Sequence, residues 1–205
     1  LSSAMKRFPS FLLVFAGFVA VIFLFCKDFF LLKKAFVLGD YAVQHFPWGE
    51  FYASSLAKGE LPLWTPLMHA GFPVLAEGQV GAFYPLNLLL YTLLPFEWAY
   101  SYSVVIHFLL GAFFFYLYLH SLGVSSYGSF LATVVWLFGS AYAGIEYNFM
   151  TMRVLIWLPL VLWLIERLHR HQRKRDVAFL AVIVFFQITA GFIQFAFYSM
   201  VVSSL

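Results

Sequence analysis

Charge in this chain comes in short islands, and the stretches between them are apolar over lengths that approach or exceed the roughly 18 to 20 residues needed to cross a bilayer. Hydrophobic residues make up 63% of the 205 and charged residues 10%, where a soluble domain carries about 25% charged residues. The fold class this predicts is all-α: a polytopic helical membrane protein with about five transmembrane helices, at about 9–26, 97–120, 127–145, 149–168 and 177–202, in a single domain covering 1–205. The net charge of +3 is not a nucleic-acid signal, because the cations gather at the ends of the apolar runs, as the positive-inside rule expects. Cys26 is the one cysteine, so no internal disulfide forms. No small-residue cleavage site follows the first run, which sets it apart from a secretory leader.

The charge islands also predict orientation. The stretch between the fourth and fifth runs holds Arg167, Arg170, Arg173, Lys174 and Arg175, five of the 12 Lys and Arg residues. Lys6 and Arg7 share its side if the spans alternate, and that side is the cytoplasm. Seven of the nine acids, Asp28, Asp40, Glu50, Glu60, Glu77, Glu97 and Glu146, then face outward. A functional site is expected on that outer face.

The outer loop, 27–96, is long, polar, aromatic and rich in proline. After Asp40, the residues Tyr41, Gln44, His45, Trp48, Tyr52 and Leu56 follow helical spacing, with Pro47 expected to interrupt or bend the helix. Residues 61–73 carry three prolines and should be irregular or extended. Residues 85–94 predict a second short helix, too short to span. It would lie in the interface with Tyr84 and Tyr91 at headgroup depth.

Several outward residues can carry chemistry. Asp40 can act as a general base at the mouth of the first span, where proximity to lipid tunes a carboxylate; it can equally cap a helix. Glu146 and Asn148 place two oxygen-bearing side chains two residues apart, a spacing that can share Mg²⁺ or Mn²⁺. Arg153, about one turn into the fourth span, can clamp a phosphate bidentately, or pair with Glu146, or reach headgroups. Glu77 and Gln79 sit among glycines that let backbone approach a ligand, although an ordinary solvated turn reads the same. His45 and His69 match no metal-ligand spacing. His107 and Gln187 are polar groups inside spans, where interhelical hydrogen bonding accounts for them. Gly191 to Gln194 can point into the same cavity from the outer end of the fifth span. Nucleotide and zinc motifs are missing from the sequence.

The strings Gly39-Asp40 with Gln44 and Pro47, Gly59-Glu-Leu-Pro-Leu-Trp64-Thr-Pro66, Gly71-Phe-Pro73 and Phe83-Tyr84-Pro85-Leu86-Asn87 together resemble the bacterial YfhO-type membrane proteins. His107 with Gly111, Trp157-Leu-Pro159-Leu160 and Gly191-Phe-Ile-Gln194 continue the likeness, which runs over about 38–198. Members are longer, so the resemblance implies the N-terminal part of such a protein. It also implies a GT-C-like fold and an inverting glycosyltransferase in the bacterial cytoplasmic membrane. That enzyme takes sugar from a polyprenyl-phosphate donor and gives it to an extracytoplasmic acceptor, a cell-wall polymer or a lipid. On this resemblance Asp40 is the catalytic base. Arg153, Gln79 and Gln194 fall to the donor phosphate, Glu146 and Asn148 to a divalent cation, and Glu77 and His45 are further candidates. The acidic pair of the second outer loop is Glu-Tyr-Asn here, a departure that puts metal dependence in question. Two rival readings of the residues are a lipid or solute transporter, which predicts broken helices, and a non-catalytic assembly subunit.

Overall fold

The computed structural model describes the backbone of residues 2–31, 41–68, 70–139 and 145–204, with side chains throughout these except at 2–11, 28–30, 41–42 and 145–148. The described residues are helical throughout, apart from loops and one isolated antiparallel bridge between Thr65 and Phe72. Two helical stretches, Phe96–Ser121 and Phe149–His171, are long and apolar enough to cross a membrane; Leu12–Lys27, Ser126–Phe138 and Ile193–Ser203 are shorter apolar helices.

Helix α1, Ser2–Phe30, presents Phe18, Ile22 and Cys26 at four-residue spacing to the core, all buried. The opposite face is also apolar and is exposed, at Leu13, Phe23 and Leu24 for example. An apolar helix with only one covered side suits lipid far better than water. Further on, a π-turn at Tyr41–His45 leads into α2, Phe46–Ala57. Pro47 lies in the first turn of α2. Pro47, expected to interrupt or bend the helix, falls where the π-turn gives way to α2, in a first α-helical turn where a missing N–H costs no intrahelical hydrogen bond.

Two short helices follow, α3 at Val74–Glu77 and α4 at Pro85–Leu93. With α2 they enclose a satellite core of Trp48, Tyr52, Val74, Val80 and Ala82. Trp48 stacks on Phe72 with centroids 5.1 Å apart, and the Tyr52 hydroxyl donates to the Ala82 carbonyl at 3.0 Å. The irregular stretch between α2 and α3 folds back through the Thr65–Phe72 bridge. At Gly71, φ is +121° and a β-carbon would stand 2.3 Å from the Trp64 indole, so only glycine fits. The outer segment is thus a packed unit with its own core.

Helix α5, Phe96–Ser121, is the axis of the main core. It touches α1, α2, α4, α6 (Ser126–Phe138), α7 (Ile145–Leu155) and α8 (Leu158–His171). Small residues let these neighbours close in. A β-carbon on Gly111 would already lie 3.0 Å from Ile156 and 3.2 Å from Leu137. Ser125 caps α6, its Oγ accepting from Gly128 N–H at 3.2 Å. The part of the predicted 127–145 span beyond residue 139 reaches residues 140–144, which lie outside the described residues.

The fourth predicted span is kinked and the fifth is broken. Over 149–168, α7 ends at Leu155 and α8 starts at Leu158, with Trp157 between them still in the right-handed helical region (φ −80°, ψ −23°). Pro159 accounts for the kink, because it has no N–H to donate to the Leu155 carbonyl one turn earlier. Where one helix was expected over 177–202, α9 (Lys174–Thr189) and α10 (Ile193–Ser203) are separated at Gly191, whose φ of +126° no helix accommodates. The kink and the break are neighbours. Gln187 of α9 is buried and donates through Nε2 to the Val154 carbonyl at 3.3 Å, beside the α7–α8 turn. Interhelical hydrogen bonding, the bland expectation for Gln187, is therefore what the side chain does.

At the other end of the α8–α9 pair, Arg167 bonds Asp176 at 3.1 Å and stacks over Trp163 at 4.5 Å. A bulky residue at the close approach of α5 should be felt at once. Gly111→Leu is expected to lower stability by about 1–3 kcal/mol through overpacking, read as a lower thermal denaturation midpoint in detergent; an unchanged midpoint contradicts this packing.

Candidate functional site

The loop from Glu77 to Tyr84 is shaped by two left-handed glycines, Gly78 at φ +84° and Gly81 at φ +66°. Its turns close by Gly81 N–H to the Gly78 carbonyl and Tyr84 N–H to the Gly81 carbonyl, both at 3.0 Å. Glu77 supports the turn from within, its Oε2 accepting from Gln79 N–H at 2.9 Å. Burial pushes the Glu77 carboxyl above its usual range, against the opposing effect of that hydrogen bond. Asn87, in the first turn of α4, staples the loop from the other side. Its Nδ2 donates to the Val80 and Gly81 carbonyls at 2.9 and 3.1 Å. Two carbonyl partners assign the nitrogen end of the amide. The oxygen end, Oδ1, is buried with no partner among the described residues.

Arg153 comes up against this loop from the last turn of α7. It is 2% exposed. Its Nη2 donates to the Gln79 carbonyl at 2.7 Å, and its guanidinium carbon lies 5.9 Å from the centre of the Tyr84 ring. Glycine makes the approach possible on both sides. A β-carbon on Gly81 would lie 3.1 Å from Arg153 Nη2 and 3.0 Å from Asn87 Nδ2, so those two nitrogens flank one point. A β-carbon on Gly191 would lie 2.7 Å from Nη2 and 2.5 Å from the Gln79 carbonyl oxygen. The outer loop, α7 and the break between α9 and α10 therefore meet at one guanidinium. A charge buried this deeply costs several kcal/mol unless dipoles or counter-charges answer it, and the Gln79 carbonyl is one such dipole.

A second polar feature lies beneath the first. The Nδ1 of His107 faces the Ser103 carbonyl of its own helix, a pure acceptor, so Nδ1 carries the proton. His107 Nε2 must then accept, and the Tyr84 hydroxyl donates to it at 2.9 Å. Trp157, at the α7–α8 turn, donates its indole N–H to the Tyr84 oxygen at 3.2 Å. Every link runs in one direction, from Trp157 through Tyr84 and His107 to Ser103. Tyr84 is 0% exposed, so its ring is packed within the protein. Its hydroxyl is used up inside the protein, where the neutral imidazole gives it a better partner than an interface would. Tyr91 is half-buried and packs against Tyr52 at 5.4 Å.

The expected site residues are only partly gathered here. Arg153 and Gln79 meet, although Gln79 contributes its backbone carbonyl and not its amide. Glu77 joins them by bracing the same turn. Gln194 is exposed and donates to Tyr198 one turn along α10 at 2.6 Å. His45 packs edge-on to Trp48 at 5.3 Å. Asp40 and His69 lie outside the described residues. Glu146 and Asn148 sit at the start of α7, seven and five residues before Arg153, and their side chains lie outside the described ones. Among the described residues no three His, Cys, Asp or Glu side chains come together as a metal would require. The residues that a site search in the sequence passes over are Asn87 and Trp157, which enter it only within the Phe83–Asn87 and Trp-Leu-Pro strings of the family likeness; the glycines beside Gln79, Gly81 among them, were read there as allowing close backbone approach.

Compared with known proteins, the chain matches no family model, no curated protein and no solved structure.

Two variants probe this arrangement. Gly191→Ala is expected to cost about 1–3 kcal/mol, the scale of a residue forced into a sparsely populated backbone region, and to expose the 77–84 loop to limited proteolysis. Wild-type midpoint and cleavage rate would contradict the close approach. Glu77→Gln keeps an acceptor for Gln79 N–H but removes the charge. Because the folded carboxyl is held above its unfolded value, the wild type carries a penalty that appears as pH rises through the carboxylate range. The variant should therefore gain stability at neutral pH and gain nothing in acid. Equal midpoint differences at both pH values would rule this out.

Proposed function

We propose that this chain belongs to a membrane glycosyltransferase of the bacterial cytoplasmic membrane, which moves a sugar from a polyprenyl-phosphate donor to a glycan or lipid acceptor on the outer face. The observation that supports this most is the burial of Arg153 at the meeting of the outer loop with one kinked and one broken helix. An arginine presents a planar fork of donors suited to phosphate oxygens, and here it stands beside the Gln79 carbonyl to which it donates. Beside it, the vacant acceptor of Asn87 suits a sugar hydroxyl. The apolar outward faces of α1 and α4 suit a donor whose tail stays in lipid.

In the reaction, Asp40 takes the proton of the acceptor hydroxyl. The acceptor oxygen bonds to the anomeric carbon with inversion as the bond from that carbon to the phosphate oxygen breaks. The polyprenyl phosphate leaves with its charge stabilised by Arg153. Glu146 and Asn148 would hold Mg²⁺ or Mn²⁺, which would supply further stabilisation of the leaving phosphate.

One observation favours a second reading. Both predicted spans nearest Arg153 are interrupted, by a kink at 156–157 and a break at 190–192, and discontinuous helices that meet at a buried charge are a feature of lipid and solute transporters. Proteoliposomes loaded with a polyprenyl-phosphate sugar separate the two. Under the transferase reading, Asp40→Asn loses most turnover and little donor binding, while Arg153→Gln loses donor binding. Donor that crosses the bilayer without sugar transfer, or turnover untouched by Asp40→Asn, decides against it.

A further inference from the structure

The α8–α9 hairpin carries a second site at the opposite end of these helices from Arg153. Two cavities adjoin there and share Trp163, Arg167 and Arg175. The first, about 640 Å³, is apolar over most of its wall, with Phe113, Leu117, Leu164, Phe179 and Ile183 among its lining. The second, about 480 Å³, is basic, with Arg170, His171 and Arg173 beside the shared arginines. The apolar cavity reaches from Arg167 down to Trp157. Ten residues of helix separate those two, about 15 Å, which is half the roughly 30 Å hydrocarbon core and so the depth of one leaflet.

We infer that this pair of cavities binds one anionic phospholipid of the inner leaflet, an acyl chain along the apolar cavity and the phosphate among the arginines at its mouth. Charge complementarity selects the occupant. Arg173 and Arg175 are exposed at the rim, and the balancing acids nearby are engaged: Glu166 holds Arg170 at 2.7 Å and Asp176 holds Arg167 at 3.1 Å. Asp176 adds a preference within the class. It is 1% exposed and lines the apolar cavity, and its Oδ2 is a buried acceptor with no partner among the described residues. A hydroxyl on the headgroup would satisfy it, so a phosphoglycerol head fits better than a bare phosphate. Another helix lying in the apolar cavity would leave the basic one unanswered.

This inference rests on the membrane reading and not on the transferase reading. Its test uses the chain in lipid nanodiscs, with retained lipid read by native mass spectrometry and phosphatidylglycerol offered against phosphatidylcholine. Phosphatidylglycerol should be retained in preference. Arg173→Gln with Arg175→Gln should weaken retention by about fivefold per arginine removed, the weight of one basic side chain at an anionic surface. Ile183→Trp, which fills the apolar cavity and leaves every charge in place, should weaken it as well, and soluble glycerol phosphate should not compete. Equal retention of the two lipids, unchanged retention in the arginine variant or in Ile183→Trp, or full competition by glycerol phosphate each overturns the inference. Alkaline carbonate extraction separates the two premises. A chain that leaves the membrane takes both down together, whereas one that stays and shows no lipid preference takes down only this inference.

Discussion

A guanidinium held in an apolar interior is the constraint around which the rest of this structure is arranged. Arg153 can sit there only because the backbone comes to it. The Gln79 carbonyl approaches to 2.7 Å, and Gly81 and Gly191 leave no side chain in the way. Each concession has a local cost. Two glycines adopt positive φ, and one predicted span gives up its continuity at Gly191. A buried charge that bends three segments toward itself is an expensive way to hold a loop, since apolar packing would do so without desolvation.

The helical class was legible from the scarcity and placement of charge, and so were most element positions. Helix α4 appears at 85–93 where 85–94 was expected, and α5 starts at Phe96 where 97 was expected. The kink and the break were not legible. A hydropathy pattern averages over turns, and the stretches that contain Gly191 and Pro159 still read as long apolar runs, so that average does not mark the point where the helix is interrupted. Proline and glycine marked both places, but a membrane helix tolerates either one when neighbours satisfy the freed groups. Here Gln187 bonds the Val154 carbonyl beside the turn. That contact comes from a residue about thirty positions away, beyond the reach of local spacing.

The same limit applies to the site. Arg153 and Gln79 were nominated for their side chains, yet the contact that unites them uses the backbone of one, a role residue identity does not encode. Asn87 escaped notice because an asparagine in the first turn of a helix reads as ordinary polar punctuation. Its importance comes from two carbonyls that the glycine turn presents to it. His107 was read as an interhelical hydrogen-bonder, but it bonds the Ser103 carbonyl of its own helix and Tyr84 of the loop before α4.

Trp157 has a consequence of its own. Its ring forms part of the wall of the cavity that opens toward the basic end, while its N–H belongs to the Tyr84 and His107 chain under the outer loop. The cavity and the hydrogen-bonded chain therefore share an indole. Lesions placed on either side of it should fail to add in a double-mutant cycle, even though more than one helical repeat separates them, because both would act through the rotamer of that one ring.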